Sequence, residues 1–346
     1  MRETESMKKI ALMAVVAMVG AGASVRAQAP PQMSPATAEA QQAAEAQAPT
    51  PHAVPANPFP PVNLKNFTAD SPTTAEVNDF LKAVWGYDDN RVWNVAGIQK
   101  TAAPGVVRVV VFVANKTQPD KVSQNEFFIT PDGKHAIAGA VIDFGANPYA
   151  DRRKMLQEQA NGPVEGAASK GLLLVEFADL LNEKSKEAQD TINNLVKDIP
   201  QARLVFENLP AEGSPYAFRA AAEGGCVRKA KGDAAFFTYM QAVFNHQQRL
   251  TAATLEPALS AAVTAAGADP KTVAACAVTQ AAKDDVKVSI ALGAAVDIDQ
   301  ATLLVVNGRI VSPTSVPYET LKQIVAYQAQ LDGINVQVQP TLSTLK

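Results

Sequence analysis

The sequence predicts two folded parts: a small α+β domain, followed by an α/β domain that carries a helical insertion. In the first part, one helical pattern precedes about four β-branched segments. In the second, a strand, a helix and a strand are followed by a long helical stretch and then by two strands and a helix. A charged, helix-permissive segment that ends at Gly162 and Pro163 separates the two.

The first residues have the pattern of an export signal. Lys8 and Lys9 precede the apolar run 10–20, and small residues follow it. We therefore expect residues 1–27 to be a cleaved signal peptide. A retained anchor is the alternative, but the run is shorter than the roughly 20 residues of a membrane span. The prediction is a periplasmic or secreted protein with no integral membrane domain after cleavage.

Residues 28–62 are rich in Ala, Pro and Gln. Such a composition cannot bury a core, so we expect a disordered linker. The whole chain has a net charge of −3 and no basic run, which argues against nucleic acid as a partner. Its three histidines and two cysteines have no spacing typical of a zinc site, and we expect neither a metal nor a cofactor.

The small α+β domain is predicted over residues 63–148. A helix in "SPTTAEVNDFLKAVWG" has Ser71 or Thr73 as its candidate cap. The segments "RVWNVAGIQKT" and "GVVRVVVFVANKT" are typical of strands, and two more strands flank a turn at 131–133. Residues 149–163 are then predicted to form a linker helix and hinge.

The second domain is predicted over residues 164–335. Its first strand covers Leu172–Phe177, its first helix about Glu183–Lys197 and its second strand 202–206. The helical insertion is expected over 216–284. The remaining predicted elements are two short strands around Asn307 and Gly308, followed by a helix over about 318–330.

Several stretches, in this order, resemble DsbA-type thioredoxin-fold proteins. "VEFADL" is similar to the strand that precedes their active site, and "ARLVFENLP" to their second strand. "SPYAFRAAAEGGC" resembles the start of their helical insertion, and "VNGRIVSPTSVPYETLKQIV" their closing hairpin and helix. The resemblance covers about residues 162–330 and implies a thioredoxin-like fold with a helical insertion.

The first domain and the segment after it contain the stretches "FLKAVWGYDDNRVWNV", "EFFITPDGKHAIAGAVID" and "NPYADRRKML". These stretches resemble the N-terminal domain of exported, DsbC-like proteins with two domains. In that architecture the small domain commonly supports dimerisation. The resemblance therefore implies a possible homodimer through residues 63–148.

The redox residues of the family are absent. Alignment on Glu176, Phe177 and Asp179 puts Asn182 and Ser185 where the two cysteines of the CxxC motif stand. Neither residue can exchange with a disulfide. Asn182 is instead a good N-cap, so residues 182–185 also suit an ordinary helix start.

The family's cis-proline is missing as well. Ala301 or Thr302 takes its position, depending on a one-residue choice in the alignment. Because non-proline cis bonds are costly, we expect a trans bond here.

Cys226 and Cys276 both lie in the predicted insertion. In DsbA-type proteins cysteines at both places are common and can pair, which implies one structural disulfide worth about 4 kcal/mol. Two unpaired thiols and a relocated redox pair are the alternatives.

The expected function is binding of polypeptide clients or envelope proteins, in a chaperone-like role without redox chemistry. An enzyme, namely a thiol-disulfide oxidoreductase or isomerase that uses Cys226 and Cys276, is the first alternative. A structural, envelope-associated protein is the second. The expected binding groove comprises Leu180, Leu181, Asn182, Lys184, Ser185, Ala301 and Thr302.

Overall fold

The computed structural model describes residues 57–247 and 253–336. The predicted signal peptide and most of the predicted linker lie outside these residues. The described residues from Pro58 onward form one compact unit, which contains two five-stranded sheets. None of the helices described in these ranges combines the length and the apolar character that a membrane span needs.

The chain alternates between these sheets and their helices as follows. The helices are α1 (Thr74–Trp85), α2 (Ala150–Gln159), α3 (Glu183–Asp198), α4 (Pro215–Lys231), α5 (Asp233–His246), α6 (Leu255–Ala265), α7 (Pro270–Ala277), α8 (Gln280–Ala295) and α9 (Tyr318–Leu331). The strands are β1 (Arg91–Lys100), β2 (Val107–Asn115), β3 (Gln118–Ile129), β4 (His135–Ile137), β5 (Val141–Asp143), β6 (Val164–Gly166), β7 (Leu172–Ala178), β8 (Ala202–Asn208), β9 (Leu303–Val306) and β10 (Arg309–Val311).

The first sheet is antiparallel, with the order β1-β2-β3-β4-β5. Helix α1 packs on it through Val77, Phe80 and Leu81, which are all buried. Of the two candidate caps, Thr73 caps α1. Its side chain accepts a hydrogen bond from the Glu76 N–H, and the Glu76 carboxylate accepts one from the Thr73 N–H in return.

This sheet has five strands, where the sequence led us to expect about four. The predicted last strand is divided into β4 and β5. Gly139, with φ of +86°, reverses the chain between them, and the Ala138 N–H donates to the Ala140 carbonyl. Glycine adopts this left-handed conformation readily, whereas other residues do not.

The second sheet has the order β10-β9-β7-β8-β6. Strands β7 and β8 are parallel and are joined by α3, whereas β9 runs antiparallel to β7. All seven residues of β7 are buried, as expected for a central strand that is covered on both faces. The order of strand, helix, strand, helices, hairpin and helix is the one that a thioredoxin-like fold implies.

The helical insertion extends further than predicted. It was expected to end at 284, but α8 continues to Ala295. Asp284 and Asp285 lie at the predicted end of the insertion, on the exposed side of α8. The Lys229 ammonium pairs with the Asp285 carboxylate at 2.5 Å, so these charges are compatible with a continuous helix.

Helix α2 is attached to the second sheet. Leu156 is buried among Leu173, Val175 and other residues of that core. The Arg152 guanidinium donates to the carbonyls of Val296 and Gly308, each at 3.1 Å. These contacts anchor residues 149–163, which were predicted to form a linker helix and hinge, to the second sheet.

Candidate functional site

The candidate site lies where β7 ends and α3 begins. Parallel strands bring their carboxyl ends to one edge of a sheet, so the segments that follow β7 and β8 meet there. Strand β9 pairs with β7 so that Leu303 is opposite Phe177. Thr302, which directly precedes β9, therefore lies beside the start of α3.

Asn182 caps α3, in agreement with its predicted role in an ordinary helix start. Its side-chain oxygen accepts a hydrogen bond from the Lys184 N–H at 2.9 Å. The Gln247 side chain donates to the Leu180 and Asn182 carbonyls at 2.7 and 3.1 Å. The turn before the helix is thus fixed by polar side chains from two directions.

Ser185 is completely buried one turn into α3. Its hydroxyl accepts a hydrogen bond from the Asp179 N–H at 3.2 Å and shares a second one with the Thr302 hydroxyl. The pair Asn182 and Ser185 thus combines a half-buried and a buried position, and both side chains have partners. An amide and a hydroxyl provide no thiolate, so these two positions cannot support disulfide exchange.

The peptide bond between Ala301 and Thr302 is cis, and our expectation of a trans bond was wrong. That expectation used only the preference of an isolated peptide. In the fold, Thr302 is buried and its hydroxyl contacts Ser185, and a local argument does not include such tertiary contacts. The contact with Ser185 also selects Thr302, rather than Ala301, as the residue that faces α3.

A buried carboxyl group lies beneath this helix start. Glu176 is wholly inaccessible, and the Gln189 side-chain amide donates to its Oε1 at 2.5 Å. Among the described residues, its Oε2 has no hydrogen-bond partner. Burial raises the pKa of Glu176 to about 8, against the lowering effect of the Gln189 hydrogen bond. At neutral pH the group is therefore predominantly protonated and uncharged.

Glu176 was not among the predicted site residues and served only to align the strand with DsbA-type proteins. The signal that could have singled it out is its place in "LLLVEFA", where a lone acid interrupts an apolar strand. Asp179, the other acid of this stretch, has a different environment. Its carboxylate accepts hydrogen bonds from the Leu181 and Ala211 N–H groups at 2.8 and 2.9 Å, which ties the ends of β7 and β8 together.

A cavity of about 1010 Å³ opens beside the helix start. Its apolar lining comes from three separate segments: the loop after β8, the start of α4, and the end of α8 with the loop that follows it. The bulkier apolar side chains of this lining are Leu209, Pro210, Pro215, Phe218, Ile290 and Ile298. None of these bulkier residues was among the predicted groove residues, although "ENLP" and "SPYAF" were among the stretches that carried the resemblance.

The structure distributes the seven predicted groove residues over different environments. Asn182 and Ala301 line the cavity. Leu180 is buried in the core of the helical insertion, and Leu181 packs against that core. Ser185 and Thr302 are buried beneath the surface, and Lys184 is exposed and is not one of the residues that line the cavity.

Cys226 and Cys276 form a disulfide that joins α4 to α7. Cys226 is buried and Cys276 is half-buried, within the apolar core of the helical insertion. Neither residue lines the cavity. Within residues 57–247 and 253–336, no group of three or more His, Cys, Asp or Glu side chains is arranged to hold a metal ion.

Comparison with known proteins gives similarities to solved structures alone. No protein-family model matches the sequence, and no curated protein matches it. A crystal structure of ScsC from Proteus mirabilis in a transitional conformation is 21% identical, with 52% of this chain and 78% of that chain covered and a TM-score of 0.43. A periplasmic thioredoxin-like protein from Salmonella enterica serovar Typhimurium is 19% identical over 52% and 96% of the two chains, with a TM-score of 0.43.

The thiol-disulfide exchange protein alpha-DsbA2 from Wolbachia pipientis is 16% identical over 52% of this chain and 95% of its own, with a TM-score of 0.45. All three are thus similar to about half of the present chain at low identity. At these values the matches support no conclusion about activity. The description of the fold follows from the strand order and the connections of the chain itself.

Proposed function

We propose that this chain is an exported protein of thioredoxin-like fold that binds polypeptide segments in the cavity beside α3, in a chaperone-like role without redox chemistry. The observation that carries the proposal is the combination of a large apolar cavity with a helix start that has no cysteine. Polypeptide ligands suit such a cavity because extended segments present apolar side chains together with free backbone groups. The predicted signal peptide supports a periplasmic location.

The backbone next to the cavity supports binding of an extended segment. No hydrogen bond among the described residues uses the N–H or C=O groups of Asp299, Gln300 or Ala301. Gln300 and Ala301 line the cavity. An extended polypeptide could pair with these groups while its apolar side chains enter the cavity, as peptides do when they extend the edge of a sheet.

A bulky substitution in the cavity tests this proposal. Ala294 is exposed on α8 and lines the cavity, so Ala294→Trp fills space there without disturbing the core. Ala281→Trp is the matched control, because Ala281 is exposed on the same helix and lies outside the lining. We expect Ala294→Trp to weaken binding of a carboxymethylated, permanently unfolded polypeptide about tenfold or more, and Ala281→Trp to leave it unchanged.

Fluorescence anisotropy of the labelled polypeptide measures this binding. Equal affinity in the two variants would contradict the assignment of binding to the cavity. Absence of binding by the unmodified protein would contradict the proposed function itself.

The alternative enzymatic function would use Cys226 and Cys276 as a thiol-disulfide oxidoreductase. The half-buried position of Cys276 favours it, because an attacking thiol needs access to the sulfur. Insulin reduction that exceeds the rate of a Cys226→Ser, Cys276→Ser variant would support this function. A reduction potential below about −300 mV for the pair would contradict it, because such disulfides resist exchange.

Two further proposals concern partners. A structural, envelope-associated role predicts that the protein sediments with the membrane or wall fraction, whereas a free periplasmic binder stays in the supernatant.

A homodimer through residues 63–148 is supported by the outer edge of β3. Strand β4 covers only Phe128 and Ile129 there, so residues 118–127 have no strand partner on that side among the described residues.

Sedimentation velocity over a range of concentrations tests the dimer. Dilution should dissociate it and raise amide hydrogen exchange in residues 118–127. A monomer at every concentration would exclude this mode of association.

A further inference from the structure

We infer that the cavity beside α3 selects polypeptide segments in which an apolar residue is flanked by lysine or arginine. This inference rests on the proposed function and specifies its substrate class. Two exposed carboxylates, Glu212 and Asp299, line the cavity together with its apolar side chains. Among the described residues that line it there is no lysine, arginine or histidine.

The two carboxylates are available to a ligand. Neither Glu212 nor Asp299 forms an ion pair with any described residue. The neighbouring Asp297 differs, because the Arg152 guanidinium pairs with it at 3.0 Å. Asp297 and Asp299 both lie in the loop before β9. Asp299, which lines the cavity, has no cationic partner among the described residues. The carboxylate of Asp179, which is bound to backbone N–H groups, adds negative charge to the same cavity.

Glu212 and Asp299 belong to different loops. Glu212 follows β8, and Asp299 precedes β9, with the apolar side chains of Leu209, Phe218 and Ile298 in the same lining. We consider a polypeptide that places an apolar side chain among these three residues. The residues before and after that position in the polypeptide then lie towards the loops of Glu212 and Asp299. Long cationic side chains can reach carboxylates at the surface while their aliphatic parts remain on apolar surface.

The charge of the cavity also argues against the chain's own N-terminal segment as its occupant. Residues 28–62 contain Glu39 and Glu45 and no lysine or arginine. Such a segment offers no charge complementarity to an acidic rim, and its two glutamates would be repelled. A basic, partly apolar segment of another polypeptide is therefore the occupant that the charges favour.

Three labelled peptides of equal length test this selectivity by anisotropy at low salt. Each contains one phenylalanine, which is flanked by lysine in the first peptide, by glutamine in the second and by glutamate in the third. We expect the lysine peptide to bind about tenfold more tightly than the glutamine peptide, and the glutamate peptide to bind most weakly. The preference for lysine should diminish as NaCl is raised from about 50 to 500 mM, because salt screens exposed charges.

Neutral variants locate the effect. Glu212→Gln and Asp299→Asn should each weaken binding of the lysine peptide about two- to fivefold, the range for an exposed charge pair. Neither should change binding of the glutamine peptide. Glu158→Gln is the matched control, since Glu158 is an exposed acid on α2 that does not line the cavity and its substitution removes the same charge from the protein.

The outcomes separate this inference from the proposed function. Equal affinity for the lysine and glutamine peptides, with Ala294→Trp still reducing both, would overturn the charge selectivity and leave polypeptide binding intact. Binding of none of the peptides would overturn both. Tighter binding of a synthetic peptide of residues 28–62 than of the lysine peptide would show that the chain's own segment is the preferred occupant. Peptide affinity that falls as the protein self-associates would instead point to a second copy.

Discussion

At the scale of single residues, Glu176 is a titratable group that is wholly removed from water. It lies under the start of α3, where its carboxyl group receives one hydrogen bond, from Gln189, among the residues that the structure describes. A carboxyl group in such a place is stable as the neutral acid, because ionisation would leave an unsolvated charge. The pKa of about 8 follows from this desolvation, and it couples folding to pH.

The sign of this coupling follows from proton binding. The pKa rises from 4.5 to about 8 on folding, so between these values the folded state holds a proton that the unfolded state has released. Glu176 therefore contributes its full amount to the free energy of unfolding below about pH 4.5. This contribution decreases as the pH rises, and above about pH 8 the free energy of unfolding no longer depends on this group.

Glu176→Gln should remove this pH dependence, because glutamine keeps the shape of the neutral acid and does not titrate. Relative to the unmodified protein, the variant should gain stability between pH 5 and pH 8.5, by a few kcal/mol at the upper end. Urea unfolding at several pH values measures the difference. Glu187→Gln, at an exposed position of α3, should show no such trend. A constant difference for Glu176→Gln across the pH range would contradict the raised pKa.

The positions 182 and 185 allow a second test at this scale. Asn182→Cys combined with Ser185→Cys would place two thiols at the N-terminus of α3, where the helix dipole favours a thiolate. We expect the double variant to form a disulfide at the start of α3 and to reduce insulin faster than the unmodified protein, whose two cysteines, Cys226 and Cys276, lie on α4 and α7. Asn182→Cys alone is the control, since it has no resolving thiol. A disulfide that forms without any gain in turnover would show that more than the cysteines has been lost.

At the scale of secondary-structure elements, one buried carboxylate joins three segments. Oε1 of Glu207, at the end of β8, accepts hydrogen bonds from the N–H groups of Asn161 and Gly162, both at 2.9 Å. The Ser289 hydroxyl of α8 donates to its Oε2 at 2.5 Å. Glu207 therefore connects the chain after α2, the sheet and the helical insertion.

Glu207→Ala should lower the free energy of unfolding by about 2–4 kcal/mol, because three donors lose their acceptor in a buried place. Glu207→Gln should cost less, since its carbonyl oxygen can still accept from the two N–H groups. Urea denaturation measures both, and Glu165→Gln on the exposed part of β6 is the control. A loss of less than about 0.5 kcal/mol in Glu207→Ala would mean that these hydrogen bonds do not stabilise the junction.

The elements that the sequence predicted well have strong local patterns. The cap at Thr73, the helix that starts after Asn182 and the hairpin at Asn307 and Gly308 follow from side chains and turn types within a few residues. Short elements gave weaker signals: β6 has only three residues and was not predicted. The extent of α8 was underestimated because its exposed acids have the composition of a turn.

The candidate site was harder to predict than the elements, for a physical reason. The helix start with Asn182 and Ser185 is contiguous in sequence, so its alignment was possible. The lining of the cavity combines residues near 209, 218, 290 and 298, and only the tertiary fold brings these together. The pKa of Glu176 likewise depends on complete burial by distant segments, which no local pattern specifies.

At the scale of the whole molecule, Arg309 joins the two sheets. It lies on β10 of the second sheet and is 8% exposed. Its Nη2 donates to the Val84 carbonyl of α1 at 2.8 Å. The guanidinium also lies over the rings of Tyr87 and Tyr149, 4.8 and 5.6 Å from their centroids. A hydroxyl contact reinforces this junction, because Tyr327 of α9 donates to the Lys82 carbonyl at 2.5 Å.

Arg309→Lys should loosen this junction while the charge is retained. Lysine lacks the planar guanidinium that stacks on the two rings and donates to Val84, so we expect a local loss of about 1–3 kcal/mol. Hydrogen exchange should then increase in α1 and β1, with the core of β7 and β8 unchanged. Arg91→Lys is the matched control, because Arg91 stacks on Trp85 and Tyr87 within the first part of the chain. Unchanged protection of α1 in Arg309→Lys would show that the two sheets are held together by other contacts, such as that of Tyr327.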